Sequence, residues 1–304
     1  LPYLEALETI MSGREVRYHT NGCSVNHFAL DERAAGCLQA VAQNGLEHWW
    51  VNSCPVAGAN APVTLAGATV VGVAETLGGW LAGWALNEDV SLGAIPLAGV
   101  MDMRTTRVMF STPESILIDC ALYQVFYRLY GIRIGLCVGY TDAKVPGLQA
   151  MNDKLLKSLA YGLFVESLGG QTGTLEAGNT YSPTQQVIDL ELNRQTAQLA
   201  RGMDVNDETL ALEAIEQFAP DDGQSFLLMD HTLEHWRGAL WMPALMDRTS
   251  FESPEAEREK ETQILRRAEA KWRDAMARYT PPALDQGKLR AAEDVLVHAR
   301  AKLL

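Results

Sequence analysis

Leu136-Cys137-Val138-Gly139-Tyr140-Thr141-Asp142-Ala143-Lys144 is the stretch on which the reading of this chain turns. The apolar run that leads into it, residues 132–138, is too short and too uniform for an amphipathic helix and reads as a buried parallel strand. It breaks at Gly139 into a polar cluster of Tyr140, Thr141, Asp142 and Lys144, and Pro146-Gly147 then opens a helix. Strand, polar cluster and helix in that order are how α/β proteins set chemistry at the carboxyl end of a sheet.

Working outward, the same alternation recurs. Strands are expected over residues 15–19, 48–52, 90–100, 132–138 and 163–168. Helices are expected over 3–11, over 31–44 with Asp31 as cap and Gly45 as stop, from 64 or 65 along an apolar segment, over 112–130 behind Thr112-Pro113-Glu114, and over 148–160. A glycine-rich loop spans 169–178. From Ser182 the pattern is helical only: 182–201, 206–218, 231–246, 253–279 and about 284–302. The segment 252–278 carries Glu, Arg and Lys at i, i+4 spacing, as a solvated helix face does. The chain thus reads as α/β with a parallel sheet in residues 1–181 and a helical region in 182–304. Five β-α units make either an open doubly wound sheet or the last five strands of an eight-stranded barrel. No GxGxxG after a strand and no P-loop is present, which disfavours a nucleotide-binding sheet.

Composition narrows the function classes. The 304 residues carry a formal net charge of −13, which argues against nucleic acid or an anionic membrane as partner. The five cysteines, Cys23, Cys37, Cys54, Cys120 and Cys137, are odd in number and form no CxxC pair, so reduced thiols in the cytoplasm are expected and a zinc site is not. The apolar segment 61–86 holds five glycines and Glu75, and is expected as a helix packed on both sides, because a membrane span tolerates a carboxylate poorly. No signal-peptide pattern is seen, and a chain that opens on Leu1 and runs almost at once into structure reads as a piece of something longer.

Several residues stand out chemically. Lys144, just beyond a strand end, has the placement of a Schiff-base lysine, or of a loop lysine paired near Asp142. Asp102 and Arg104 follow the third expected strand and either orient substrate or hold their own loop. Tyr140 is the aromatic with strand-end placement and the best face for a quaternary ammonium. Trp80 and Trp84 share a helix face, and Trp49 and Trp50 point to opposite sides of a strand. Glu176 and Gln171 belong to the glycine-rich loop, where an acid can face a cation or steady the loop. His231 and His235 lie four apart on a helix, but HExxH is absent and no third ligand is evident, so no metal is expected. His19 and His27 flank a strand-end turn.

Taken together, five segments resemble the trimethylamine methyltransferase superfamily, including its non-pyrrolysine, glycine betaine methyltransferase-like members. They are Ala57-Gly58-Ala59-Asn60-Ala61-Pro62-Val63-Thr64-Leu65-Ala66-Gly67, Met101-Asp102-Met103-Arg104-Thr105, Gly139-Tyr140-Thr141-Asp142-Ala143-Lys144-Val145-Pro146, Val205-Asn206-Asp207-Glu208-Thr209-Leu210-Ala211, and His231-Thr232-Leu233 with Trp241-Met242-Pro243-Ala244-Leu245. The resemblance implies a TIM-type (β/α)8 barrel, of which this chain looks like the C-terminal part, with the early strands missing and a helical region packing on the barrel. It also implies a corrinoid-dependent methyltransferase, moving a methyl group from a small methylated amine, quaternary in many relatives, to the Co(I) of a cobalamin presented by a separate corrinoid protein. Asp142 and Lys144 are then the expected catalytic positions, and Tyr140, Asp102, Arg104, Glu176 and Gln171 the expected substrate contacts. A homo-oligomer in the cytoplasm is the expected form. The competing readings are a non-catalytic member that keeps a docking surface for the corrinoid protein, and a Schiff-base lyase using Lys144.

Overall fold

The computed structural model describes residues 2–12, 19–23, 32–43, 45–165, 170, 173–218, 225–281, 283 and 285–303. The chain forms two compact units, one of Leu1–Cys137 with Ala275–Leu304, the other of Val138–Asp274. The units therefore part inside the first region expected from sequence, and not at its 181/182 end.

The first unit is built on a parallel sheet in chain order: β1 (His19–Cys23), β2 (His48–Asn52) and β4 (Ser91–Ala94), with β2 in the middle. Between β1 and β2 runs α2 (Glu32–Ala42), which Gly45, at φ 87, follows. Along β2 the side chains alternate: Trp49 and Val51 are fully buried while Trp50 is 37% exposed, as period-2 geometry requires.

Against Trp49 and Val51 lies α3 (Leu65–Leu86), between β2 and β4 in the chain. Its buried residues, Ala68, Gly72, Thr76, Gly79, Trp80 and Gly83 among them, recur at helical spacing on one face. A Cβ on Gly83 would come within 2.3 Å of the Trp49 ring, so only glycine admits the indole, whose Nε1 donates to Gly79 O at 2.7 Å. Trp80 donates to Gly93 O at 2.8 Å and meets Phe126 edge-on at 5.0 Å. Phe126 belongs to α4 (Pro113–Tyr130), which starts where Thr112-Pro113 placed it: Thr112 Oγ1 accepts from Ser115 N. The α3 helix is long and apolar enough to cross a membrane by length and composition. The expectation that it packs on both sides is corrected: within this unit the sheet and α4 cover one face, and Val70, Leu81 and Trp84 on the other remain half or more exposed, or nearly so.

The expected strand over 90–100 is two strands in two sheets. Pro96 carries no N–H for a ladder, and Ala98 N donates instead to the Asp119 carboxylate at 2.8 Å. The chain resumes as β5 (Gly99–Asp102), parallel to β3 (Val56–Ala57) and antiparallel to β6 (Arg107–Met109). The strand expected over 132–138 is also corrected. Ile134 and Val138 are buried as that reading required, but the segment makes one backbone bond to β4, Gly135 N to Ala94 O at 2.7 Å, and no ladder. The helices at the two ends of the chain, α1 (Pro2–Ser12) and α11 (Gln286–Leu303), pack on each other in this unit, and Lys288 Nζ donates to Met11 O.

The second unit is mostly helical. Its first helix, α5 (Leu148–Val165), runs through the start of the strand expected over 163–168, so residues 163–165 are helical and 166–168 lie outside the described residues. The buried positions Ala150, Asp153, Lys154, Lys157, Ser158, Tyr161 and Val165 form one helical stripe, and that periodicity overrides the local β preference of Phe164-Val165. A hairpin, β7 (Thr174–Leu175) and β8 (Thr180–Tyr181), replaces the expected open loop. Then come α6 (Pro183–Arg201), α7 (Asp207–Leu210), α8 (Leu212–Glu216), α9 (Asp230–Ala239) and α10 (Pro254–Arg278), the last crossing the unit boundary. The helix expected over 206–218 is broken at Ala211, which is left-handed at φ 51, and the one expected over 231–246 stops at Ala239, ahead of Pro243. The core joins Ile188 and Leu192 of α6 to Leu245 and Ala268. The carboxylate of Glu191 accepts from Ala244 N and Leu245 N, at 2.7 and 2.8 Å, so the Trp241–Leu245 segment is pinned by a buried acid.

Candidate functional site

Tyr140, Asp142 and Glu176 are brought onto one frame in the second unit. The frame is the loop 139–144 bonded edge to edge to the turn between β7 and β8. Glu176 N donates to Ala143 O and Ala177 N to Thr141 O, both at 2.8 Å, while Thr174 Oγ1 donates to Gly139 O at 2.6 Å. To aim two successive amides at the loop the turn takes a left-handed path through Glu176 (φ 50), Ala177 (φ 52) and Gly178 (φ 88). Left-handed backbone at a non-glycine residue costs on the order of 1 kcal/mol, and the two bonds to the loop hold it there. Glycine suits position 178 for a second reason: a Cβ would lie 3.0 Å from the Tyr140 ring, a tight contact.

From the other side α5 holds the loop. Asp153 Oδ2 accepts from Thr141 Oγ1 at 2.7 Å and from Asp142 N at 3.2 Å. Burial pushes the Asp153 carboxyl up, donation from Thr141 and Asp142 N works the other way, and the nearby Asp142 charge adds to the rise. One helical step on, Lys154 and Asp189 of α6 form an ion pair at 2.5 Å with both side chains fully buried. Asp189 also accepts from Gly173 N at 2.6 Å and from Gln185 Nε2 at 2.7 Å. Burial drives the Lys154 ammonium down and Asp189 resists that. Lys157 is fully buried as well, and its ammonium stands 5.9 Å from the centroid of the Tyr140 ring. A cation therefore already faces that ring.

Each expected site residue has a definite place. Asp142 is 4% exposed and Tyr140 half-buried. Glu176 is exposed, and its carboxylate accepts from Thr180 Oγ1 at 3.0 Å. Lys144 is exposed and its ammonium donates to Asp142 O at 2.5 Å, closing its own loop. Asp102 and Arg104 belong to the first unit, in the turn between β5 and β6. Arg104 donates to Asp102 through its backbone N, Nε and Nη2 at 2.8, 3.2 and 3.0 Å, and Thr106 N donates to Asp102 O. That is the loop-holding alternative, and the guanidinium keeps the Asp102 carboxyl down at about 2. Gln171 and His27 lie outside the described residues, as does the side chain of His19. His231 and His235 stack with centroids 4.5 Å apart, and among the described residues no three His, Cys, Asp or Glu side chains gather as metal ligands. Cys37, Cys54, Cys120 and Cys137 form no disulfide, and burial beside Asp119 pushes Cys120 up to about 12.

Asp153, Lys154, Lys157 and Asp189 escape a reading of sequence that assigns charged helix residues to solvent. The signal available was the stripe itself: residues 150, 153, 154, 157, 161 and 165 fall on one face with Ala, Tyr and Val.

An α/β chain with a polar loop set on a buried charged network defines the class, and comparison with known proteins supplies the family. The sequence model of the trimethylamine methyltransferase (MTTB) family matches residues 12–303, and the chain belongs to that family, as the resemblance implied. It is 27% identical over 263 residues to the glycine betaine methyltransferase of Desulfitobacterium hafniense strain Y51, covering 86% of this chain and 53% of that protein. It is 29% identical over 275 residues to the trimethylamine methyltransferase MttB of D. hafniense strain DSM 10664 / DCB-2, covering 88% and 53%. Against MttB1 of Methanosarcina mazei the figure is 31% over 186 residues, covering 60% and 36%. The chain spans about half the length, or less, of these curated relatives.

Proposed function

We propose that this chain serves a methyltransferase that moves a methyl group from a small methylated amine, quaternary by preference, to the Co(I) of a corrinoid carried by a partner protein. Family membership and the names of the relatives, a glycine betaine methyltransferase and trimethylamine methyltransferases, support the amine. The sequential parallel order of β1, β2 and β4, with α2 and α3 between them, supports a TIM-type barrel as the frame. The observation that carries the reading is the fixed loop 139–144, which sets a buried carboxylate, Asp142, beside Tyr140 and next to the turn bearing Glu176.

The chemistry asks little of the chain beyond binding. The corrinoid is the methyl acceptor and supplies the nucleophile. As the methyl leaves, the C–N electron pair stays on nitrogen, so no side chain needs to donate or take a proton when the donor is quaternary. What remains is to hold a cation with one methyl exposed and to keep water away. An N-methyl cation is held by aromatic faces and carboxylates, which Tyr140, Asp142 and Glu176 provide. Because Lys157 already faces the Tyr140 ring, the substrate cation uses the opposite ring face or edge. Lys144 keeps the loop closed.

The test is a panel of methylated amines incubated with the protein and reduced cobalamin, followed by the absorbance change on methylation. Tyr140→Ala and Asp142→Ala are each expected to weaken amine binding by about 1–2 kcal/mol. No transfer from any amine, with calorimetric affinities unaltered in both variants, removes the reading.

A further inference from the structure

We propose that Asp153 is a positioning residue of the amine site, fixing Thr141 and Asp142 without itself touching substrate. The inference rests on the reading of loop 139–144 as that site.

Asp153 sits at the sixth residue of α5, inside the helix and not at its cap, yet its acceptor capacity goes to the loop. One oxygen, Oδ2, accepts from both the Thr141 hydroxyl and the Asp142 amide. Thr141 carries the constraint onward. Its Oγ1 accepts from Ala143 N at 3.1 Å, and its carbonyl takes Ala177 N from the left-handed turn. One buried carboxylate thus sets the backbone at Asp142 directly, and the turn bearing Glu176 through Thr141. A charge 7% exposed is costly to keep in a protein interior. Simple anchoring would be met as well by an apolar side chain in that stripe, whereas two donors aimed at one oxygen fix a direction for the Asp142 carboxylate.

The test uses the full chain with Asp153→Ala, Asp153→Asn and Thr141→Val, read by hydrogen exchange of residues 140–144, by calorimetry with glycine betaine and trimethylamine as probes, and by melting. Asp153→Ala is expected to speed exchange at the Asp142 amide about tenfold and to weaken betaine binding about tenfold, the size of a lost pair of hydrogen bonds to a charged group. Asp153→Asn keeps a carbonyl acceptor and should hold both within about threefold, and Thr141→Val should fall between. If Asp153→Ala does not fold, Thr141→Val against Asp153→Asn decides. Exchange raised evenly across the second unit, or binding that follows melting temperature alone in all three variants, overturns the proposal, because that is how a purely structural residue behaves. A wild-type chain that binds neither probe sinks the amine site, and the exchange pattern then still decides whether Asp153 holds the loop.

Discussion

Two loops that follow extended segments, one in each unit, are held by charge in opposite ways. In the first unit the turn after β5 is tied by Asp102 and Arg104, a pair whose arginine is 88% exposed. In the second unit loop 139–144 and the hairpin turn are tied to Asp153 and, through Gly173, to an Asp189–Lys154 pair with no exposure at all. Both ion pairs are in hydrogen-bonding contact, at 3.0 and 2.5 Å. The energetics differ, because water screens the first pair and is absent from the second. A short ion pair in itself says little; what each partner would face alone says most.

The comparison breaks most sharply at Lys154. Lys154→Met is expected to cost the second unit about 3–5 kcal/mol, because Asp189 is left as a buried, uncompensated charge, and a denaturant titration measures this. Adding Asp189→Leu should recover part of the loss, reduced by the stranded Gly173 amide. Next in size is Thr141→Val, which strands one Asp153 lone pair and the Ala143 amide and should cost about 1–2 kcal/mol by the same measurement. Ala177→Gly should change stability in the other direction, raising it by about 0.5 kcal/mol in the same titration, since the native φ of 52 suits glycine and the relief exceeds the entropy of the freer unfolded chain. Smallest is Asp102→Ala, for which a small fall in melting temperature is expected at neutral pH, because water screens the exposed pair. Its folded carboxyl sits at about 2, below the ordinary 3.8, so its stabilisation is present above that ordinary value and is lost as pH falls through 2. Acid titrations of the wild type and Asp102→Ala should therefore converge below pH 2.

How much of this was legible follows from what each feature depends on. The helices α3, α4, α5, α6, α10 and α11 announce themselves through periodicity and caps, and β2 through the Trp49/Trp50 alternation, all of which are local. The segment 132–138 buries Ile134 and Val138 but leaves Arg133 exposed and forms no ladder, because composition reports apolar tendency while pairing depends on where β4 ends, at Ala94. At the candidate site, Tyr140 and Asp142 were visible as polar residues after an apolar run, and Glu176 as an acid behind a glycine-rich loop. What sequence did not show is the support beneath them. Lys154 and Lys157 look like solvated helix charges until α6 supplies Asp189 and the loop supplies Tyr140, and those partners lie 35 residues downstream in one case and in another element in both. Glu176 was expected to meet a cation or steady its loop; its backbone amide bonds the 139–144 loop, and its exposed carboxylate accepts from Thr180 Oγ1.

The left-handed run from Glu176 to Gly178 also works as a length gauge. Two neighbouring amides reach two fixed carbonyls only when the hairpin has its present number of residues. One residue more or fewer would swing both N–H groups away from Ala143 and Thr141 together. Variation in this segment is therefore open to changes of side chain, at Thr180 or Tyr181 for instance, and closed to changes of length. Insertions intended to reshape the site belong elsewhere, in the exposed chain around Val145 and Pro146.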